Sequence, residues 1–218
     1  EAGAVLKKLL GKLYVWYVRR TAQKHQIDWT KQGAIGAQTF DAMYVQKFSG
    51  PADNIIGLDS VIWEFFWVYN QLPNTKTFAV PGATVQDALA SVDALLAYRP
   101  KKVLLHICGN DVNMNARPAT EIMADLKTLV WKIQMAGCEV AWAEILPLGK
   151  ALAEVDERCR SFNRMVKDDG FVTVLPTRAF LAGPDGFIKP ELEGVDHLHP
   201  NVLAIKAWLP MISKFFFG

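Results

Sequence analysis

Two of the chain's four histidines stand in Val195-Asp196-His197-Leu198-His199-Pro200. A neutral imidazole is the usual general base toward an uncharged hydroxyl, and a carboxylate on its other ring nitrogen fixes the tautomer. Asp196 precedes His199 by three residues, so a single turn can bring the carboxylate to that ring, whereas His197 adjoins the same acid but points elsewhere. Serine is also scarce, at Ser49, Ser60, Ser91, Ser161 and Ser213. Of these, Ser60 alone directly follows a strand-like apolar run, in Ile56-Gly57-Leu58-Asp59-Ser60-Val61. A serine at that junction opens the next helix, where free backbone N–H groups favour negative charge. It can be a nucleophile whose attack creates an oxyanion, or Asp59 and Ser60 can be ordinary N-cap residues.

Two further loops carry groups that could hold such an oxyanion. In Val80-Pro81-Gly82-Ala83-Thr84, Gly82 can bring its backbone N–H close to a substrate, or it can be a turn glycine before a helix capped by Thr84. In His106-Ile107-Cys108-Gly109-Asn110-Asp111, the Asn110 amide can donate to a developing negative charge, or Asn and Asp can simply form a turn. Taken together, a serine, a backbone donor, an amide donor and a His with its Asp supply every role in acyl transfer through a tetrahedral intermediate. Metal chemistry is not expected, because no HExxH pattern and no third ligand accompany the two histidines. Cys108, Cys138 and Cys159 are odd in number and widely spaced, with neither a disulfide framework nor metal-ligand spacing. No cofactor is expected either: no Gly-x-Gly-x-x-Gly or phosphate-loop pattern is present. None of the five serines lies in a Gly-x-Ser-x-Gly elbow.

These groups need a frame that gathers loops at one edge. From Pro51 onward, short apolar runs alternate with helical stretches. The runs are Asn54 to Leu58, Thr75 to Val80, Lys102 to Cys108, Glu139 to Leu146 and Phe171 to Leu175. Helical periodicity covers Val61 to Asn70, Thr84 to Tyr98, Ala119 to Ala136, Leu152 to Asp168 and Asn201 to Phe216. That alternation predicts an α/β fold, a parallel sheet with helices on both faces, which binds ligands beyond the carboxyl ends of its strands. Residues 28–51 follow no sustained period and read as a connecting segment, with one short helix near Phe40 to Phe48.

The blocks then resemble the SGNH/GDSL hydrolase family of serine esterases and lipases, over roughly residues 53–214. Leu58-Asp59-Ser60-Val61 is similar to the family's Gly-Asp-Ser-Leu block, Gly82-Ala83-Thr84 to the block with the oxyanion-hole glycine, and Cys108-Gly109-Asn110-Asp111 to Gly-x-Asn-Asp. Asp196-His197-Leu198-His199-Pro200 is similar to Asp-x-x-His. The resemblance implies a three-layer α/β/α, flavodoxin-like domain with a five-stranded parallel sheet over residues 51–218; residues 1–50 match none of the blocks and read as an N-terminal helical extension. It implies a catalytic triad of Ser60, Asp196 and His199, an oxyanion hole from Ser60, Gly82 and Asn110, and hydrolysis of a carboxylic ester through an acyl-enzyme. The same residues would serve an acyltransferase or a carbohydrate O-acetylesterase, while a non-catalytic ligand-binding module would not need to retain the set. Leu58 and Cys108 depart from the family pattern, each standing where the pattern has glycine.

Composition sets the partners. The 218 residues are 51% apolar with a net charge of +2, which excludes a disordered chain and gives no electrostatic case for nucleic acid. The longest run without Asp, Glu, Lys or Arg is eleven residues, Phe65 to Thr75, against about 20 for a membrane span. No signal peptide is read, since Lys12 interrupts the one candidate stretch, and the compartment stays open. Residues 1–26 carry net +5, with Leu6, Leu9, Leu10, Leu13, Trp16 and Tyr17 at helical spacing. Such a helix either packs on the domain or lies on an anionic membrane surface as a peripheral contact. The apolar stretch Val61 to Tyr69 and the C-terminal Trp208, Phe215, Phe216 and Phe217 leave three uses open: core packing, a pocket for a lipid-like ester, and a homo-oligomer interface.

Overall fold

A computed structural model describes residues 51–64, 66–69, 71–79, 82–114 and 117–218; the basic amphipathic segment and the helix read near Phe40 to Phe48 lie outside them. Among the described residues the strands are Asn54–Leu58 (β1), Thr75–Ala79 (β2), Lys102–His106 (β3), Glu139–Ala143 (β4) and Thr173–Leu175 (β5). They form one sheet in the order β2-β1-β3-β4-β5, every pair parallel. This is the flavodoxin-like order, in which the chain leaves β1 toward one edge and then returns to build toward the other. The expected fold class is therefore the observed one.

Parallel strands covered on both faces must bury alternate residues into two cores. Val103, Leu105, Val140 and Trp142 enter one core, lined by the helices Val85–Leu96 (α3), Ala119–Met135 (α5) and Ala153–Asp169 (α6). Ile56, Leu104, Ala141 and Ala143 enter the other, with Ser60–Glu64 (α1), Phe66–Tyr69 (α2), Thr177–Leu181 (α7) and Val202–Phe217 (α8). A short helix, Gly109–Met114 (α4), follows β3 and packs on α6. Trp208, Phe215 and Phe216 are buried in the second core, so the apolar C-terminus serves packing; Phe217 is half exposed. Among the described residues no helix is long and apolar enough to cross a membrane.

Three local expectations shift. The Gly109-Asn110-Asp111 segment is the first turn of α4 rather than an isolated turn. Helical structure begins at Ser60 itself, over α1 and α2. The run Glu139 to Leu146 is strand only to Ala143, because β5 is three residues long and its last pairing is Ala143 with Leu175. Beyond that point α6 side chains replace the ladder: Ile145 N–H donates to Asn163, whose amide donates back to the Ile145 carbonyl, and Leu148 N–H donates to Asp156.

The last helix is anchored where the segment bearing Asp196 and His199 ends. The Asn201 side-chain oxygen accepts from Leu203 and Ala204 N–H, and its amide donates to the carbonyls of Glu191 and Glu193. Losing an N-cap costs about 1 kcal/mol, and in a domain of this size each kcal/mol moves the melting temperature by about 2–4 °C. Asn201→Ala is therefore expected to melt a few degrees below wild type by circular dichroism; an unchanged melting temperature would show that the cap contributes nothing.

Candidate active site

The site is set by strand register. Leu58 at the end of β1 pairs with Ala79 of β2 on one side and with His106 of β3 on the other. The loops after these three strands therefore start level and emerge side by side at the carboxyl edge, bringing Ser60, Gly82 and Asn110 to one place.

At the first loop the cap and the hydroxyl are separate. Asp59 accepts the Val61 N–H at 3.1 Å, so Asp59 takes the capping role and the Ser60 hydroxyl is left for another partner. That partner is His199, whose Nε2 lies 2.8 Å from Ser60 Oγ across 139 positions of sequence. His199 Nδ1 is 2.6 Å from Asp196 Oδ2, and the other Asp196 oxygen accepts the backbone N–H groups of Leu198 and His199 at 3.0 and 2.9 Å. Partial burial works to raise the Asp196 pKa, but the His199 side chain and these N–H donors outweigh it and hold the carboxyl well below the usual carboxylate range. Asp196 is thus an anion throughout the neutral region.

The loop bearing this pair is closed on itself. Gly194 N–H donates to the His199 carbonyl and Gly149 N–H to the His197 carbonyl. His197 adopts a left-handed φ of 62° and places its Nδ1 2.6 Å from Glu193 Oε1, away from Asp196 as the sequence suggests. Gly149 lets the loop approach, since a Cβ there would stand 2.8 Å from the His197 Cβ.

Asn110 and Gly82 are tied together rather than simply adjacent. The Asn110 amide donates to the Ala83 carbonyl at 2.9 Å, which uses one of its two hydrogens. Gly82 has φ of 75°, the left-handed region that favours glycine. Thr84 and Asp87 form a capping box at the start of α3, as the alternative reading of that loop had it. Asp111, fully buried, accepts the Val85 N–H at 3.0 Å and so fastens the loop after β3 to the one after β2. Burial raises its pKa, opposed by that N–H and by Arg117.

Sequence reasoning gave no role to His106. It ends β3 beside Leu58, buried, with Nδ1 2.8 Å from Asp59 Oδ2, so Asp59 is gripped from behind while it caps α1. The His106 ring meets Trp208 edge-on at 5.5 Å, and Trp208 meets Tyr69 at 6.4 Å. An acid before the serine and a histidine ending a neighbouring strand were the available signal, but only the strand order makes them neighbours.

Cys108 adopts φ of 83°, a glycine conformation at a position where the resemblance has glycine, and such a residue costs about 1–3 kcal/mol. Leu58, the other departure, is buried in the core. No cysteine competes as nucleophile. Burial pushes the Cys159 thiol up to about 12, with Asp156 adding to it, and burial also raises Cys108 and Cys138. Among the described residues no group of three His, Cys, Asp or Glu side chains is placed to hold a metal ion.

A cavity of about 40 Å³ adjoins Ser60, Asn110 and His199, with buried Ile145, Leu146, Leu148 and Cys159 in its wall.

Comparison with known proteins places this geometry. The model of the GDSL-like lipase/acylhydrolase family matches residues 66–204, a span that holds Gly82, Asn110, Asp196 and His199 and starts shortly after Ser60. A GDSL-like lipase from Bacteroides thetaiotaomicron shares the fold at a TM-score of 0.69, with 12% identity over 82% of this chain and 96% of that one. The acetylxylan esterase Axe2 of Geobacillus stearothermophilus aligns at 0.59, with 16% identity over 78% and 96%. Esterase EstA from a Pseudoalteromonas species aligns at 0.54, with 21% identity over 76% of this chain and all of that one. No curated protein matches the sequence. The family model covers well over half of the chain, and the chain belongs to the GDSL-like lipase/acylhydrolase family.

Proposed function

We propose that the protein is a serine ester hydrolase that cleaves a carboxylic ester of a short acyl group through an acyl-enzyme. The observation that carries this reading is the unbroken chain from Ser60 Oγ to His199 Nε2 at 2.8 Å and from His199 Nδ1 to Asp196 at 2.6 Å. His199 takes the hydroxyl proton as Ser60 attacks the carbonyl carbon, and returns it to the leaving alcohol oxygen. Asp196 holds the ring in the productive tautomer and stabilises the imidazolium. The backbone N–H groups of Ser60 and Gly82, with the second Asn110 amide hydrogen, receive the oxyanion. Water then repeats the sequence on the acyl-enzyme, releasing the acid and restoring Ser60.

The small cavity supports a short acyl group over the lipid-like ester that the apolar stretches left open; the fold, shared with a GDSL-like lipase and with an acetylxylan esterase alike, does not choose between them. The apolar residues after Ser60 whose side chains are described, Val61, Ile62, Val68 and Tyr69, are buried in the second core, and Val61 also lines the small cavity.

The test is hydrolysis of 4-nitrophenyl acetate by wild type, Ser60→Ala and His199→Ala. Each variant is expected to lose roughly a thousandfold or more in kcat. Near wild-type turnover in both would overturn the assignment. Replacing Asp196 by Asn, which keeps the shape but not the charge, is expected to lower kcat on the order of 10⁴-fold if tautomer control matters here as in other Ser-His-Asp sites.

The pH profile follows from the Asp196 shift. Its folded pKa is depressed, so the stability it contributes is present above the unfolded value near ~3.9 and is lost as pH falls below it. Activity must fail earlier, when His199 gains a proton and can no longer accept the Ser60 hydrogen. A single-proton acid limb in kcat/KM is expected, while the circular dichroism signal stays native over the same range. A limb of two protons, or one that coincides with unfolding, would contradict this.

A further inference from the structure

A second, larger cavity lies beside the reacting pocket and shares Asn113 with it. Its volume is about 580 Å³, within the usual range for small-molecule sites. It opens between α4, the start of α5 and α6, and its floor is apolar, made by Val112, Ile122, Phe162 and Met165. Two arginines line it, and their electrostatic situations differ.

Arg117 is already matched. Its guanidinium lies 2.6 Å from Asp125, 3.5 Å from Asp111 and 3.8 Å from Glu121. Arg158 lines the same cavity with no carboxylate of the described residues within 4 Å of it. The neighbouring acid on α6, Glu157, is bound instead to Arg160 and Arg164, and Asp156 to Arg160 and Arg178. The groove therefore combines an apolar bed with an exposed guanidinium that no carboxylate of the described residues neutralises, a group suited to forked recognition of a carboxylate or phosphate.

We infer that this groove is the subsite for the alcohol arm of the ester, and that it selects an arm with an apolar body ending in an anionic group held by Arg158. The inference rests on the esterase reading. The small pocket suits the acyl group, and because Asn113 lines both cavities the other arm can pass it onto the open groove. The apolar body covers Val112, Ile122, Phe162 and Met165, and the anion reaches the rim at Arg158. Because Arg117 is neutralised by three carboxylates, the discrimination falls on Arg158.

The probes are acetate esters of ω-hydroxy carboxylic acids in a series of chain lengths, each paired with its ω-amide. The readout is the ratio of kcat/KM for acid over amide within one protein, so that any loss of folded material cancels. Wild type is expected to favour the acid by roughly twofold to fivefold at the length that spans the groove, through KM, with the preference shrinking at high salt. Arg158→Glu should reverse the ratio, and Arg158→Lys should retain part of it. A ratio of one at every length, or a preference that survives Arg158→Glu, overturns the inference while leaving the hydrolase reading intact. A preference found instead with esters carrying the anion on the acyl side, again lost in Arg158→Glu, overturns the assignment of the groove to the alcohol arm. Failure of wild type on 4-nitrophenyl acetate as well would strike the esterase reading itself, which separates the two.

Discussion

The site depends on β1 being paired on both sides, in parallel, with β2 and β3. A strand in that position has its carboxyl end between two others, and the helices that follow β1 and β3 lie on opposite faces, α1 and α2 against one core and α4 and α5 against the other. The loops cannot close over the gap between them, so a crevice forms there whatever the side chains are. What the sequence adds is the choice of groups that line it. Because the three strands end level, a residue two positions past β1, one three past β2 and one four past β3 converge without any long loop. Short connections give short lever arms, which is how backbone and side-chain donors can be held in place by a fold alone.

Buried charge then fastens the loops to one another. Asp111 and Asp59 are both withdrawn from water, and a carboxylate is tolerated there only if donors replace its hydration. The donors come from neighbouring segments: Val85 N–H and Arg117 for Asp111, Val61 N–H and His106 for Asp59. Each acid is thus satisfied only when two loops are correctly placed relative to each other. The desolvation cost becomes a penalty on misplacement, and the Gly82 and Asn110 segments are fastened to each other.

Much of this could be read along the chain. The five strands, the large helices and the candidates Ser60, Gly82, Asn110, Asp196 and His199 follow from periodicity, scarcity of serine and histidine, and loop residues, helped by the resemblance of four blocks. Three things could not. The capping role of Asp59 rather than Ser60 depends on which side chain turns back to Val61, a rotamer choice invisible in composition. The pairing of Asp59 with His106 depends on strand order, since 47 positions separate them. Cys108 shows the third kind of gap. Its residue type argues against the left-handed backbone that the structure gives it, and the resemblance to a glycine position was the better guide, because the fold demands the turn and overrides local preference.

Among the described residues three histidines are paired to carboxylates at nearly the same distance: His199 with Asp196 at 2.6 Å, His197 with Glu193 at 2.6 Å, and His106 with Asp59 at 2.8 Å. Proximity of an acid therefore does not identify a general base. The three differ in what the rest of the imidazole meets. His106 is buried against Trp208 and braces Asp59 through Nδ1; it stands at the wall of the small cavity, but its Nε2 has no hydrogen-bond partner among the described residues and so meets no serine hydroxyl. His197 is half exposed on a turn that faces Glu193. Only His199 presents its far nitrogen to a serine hydroxyl while its near nitrogen is fixed by an acid held anionic by backbone N–H groups. The same acid–imidazole pair thus braces a nucleophile's loop in one place and is poised to activate the nucleophile in another, and burial together with the direction of the second nitrogen decides which.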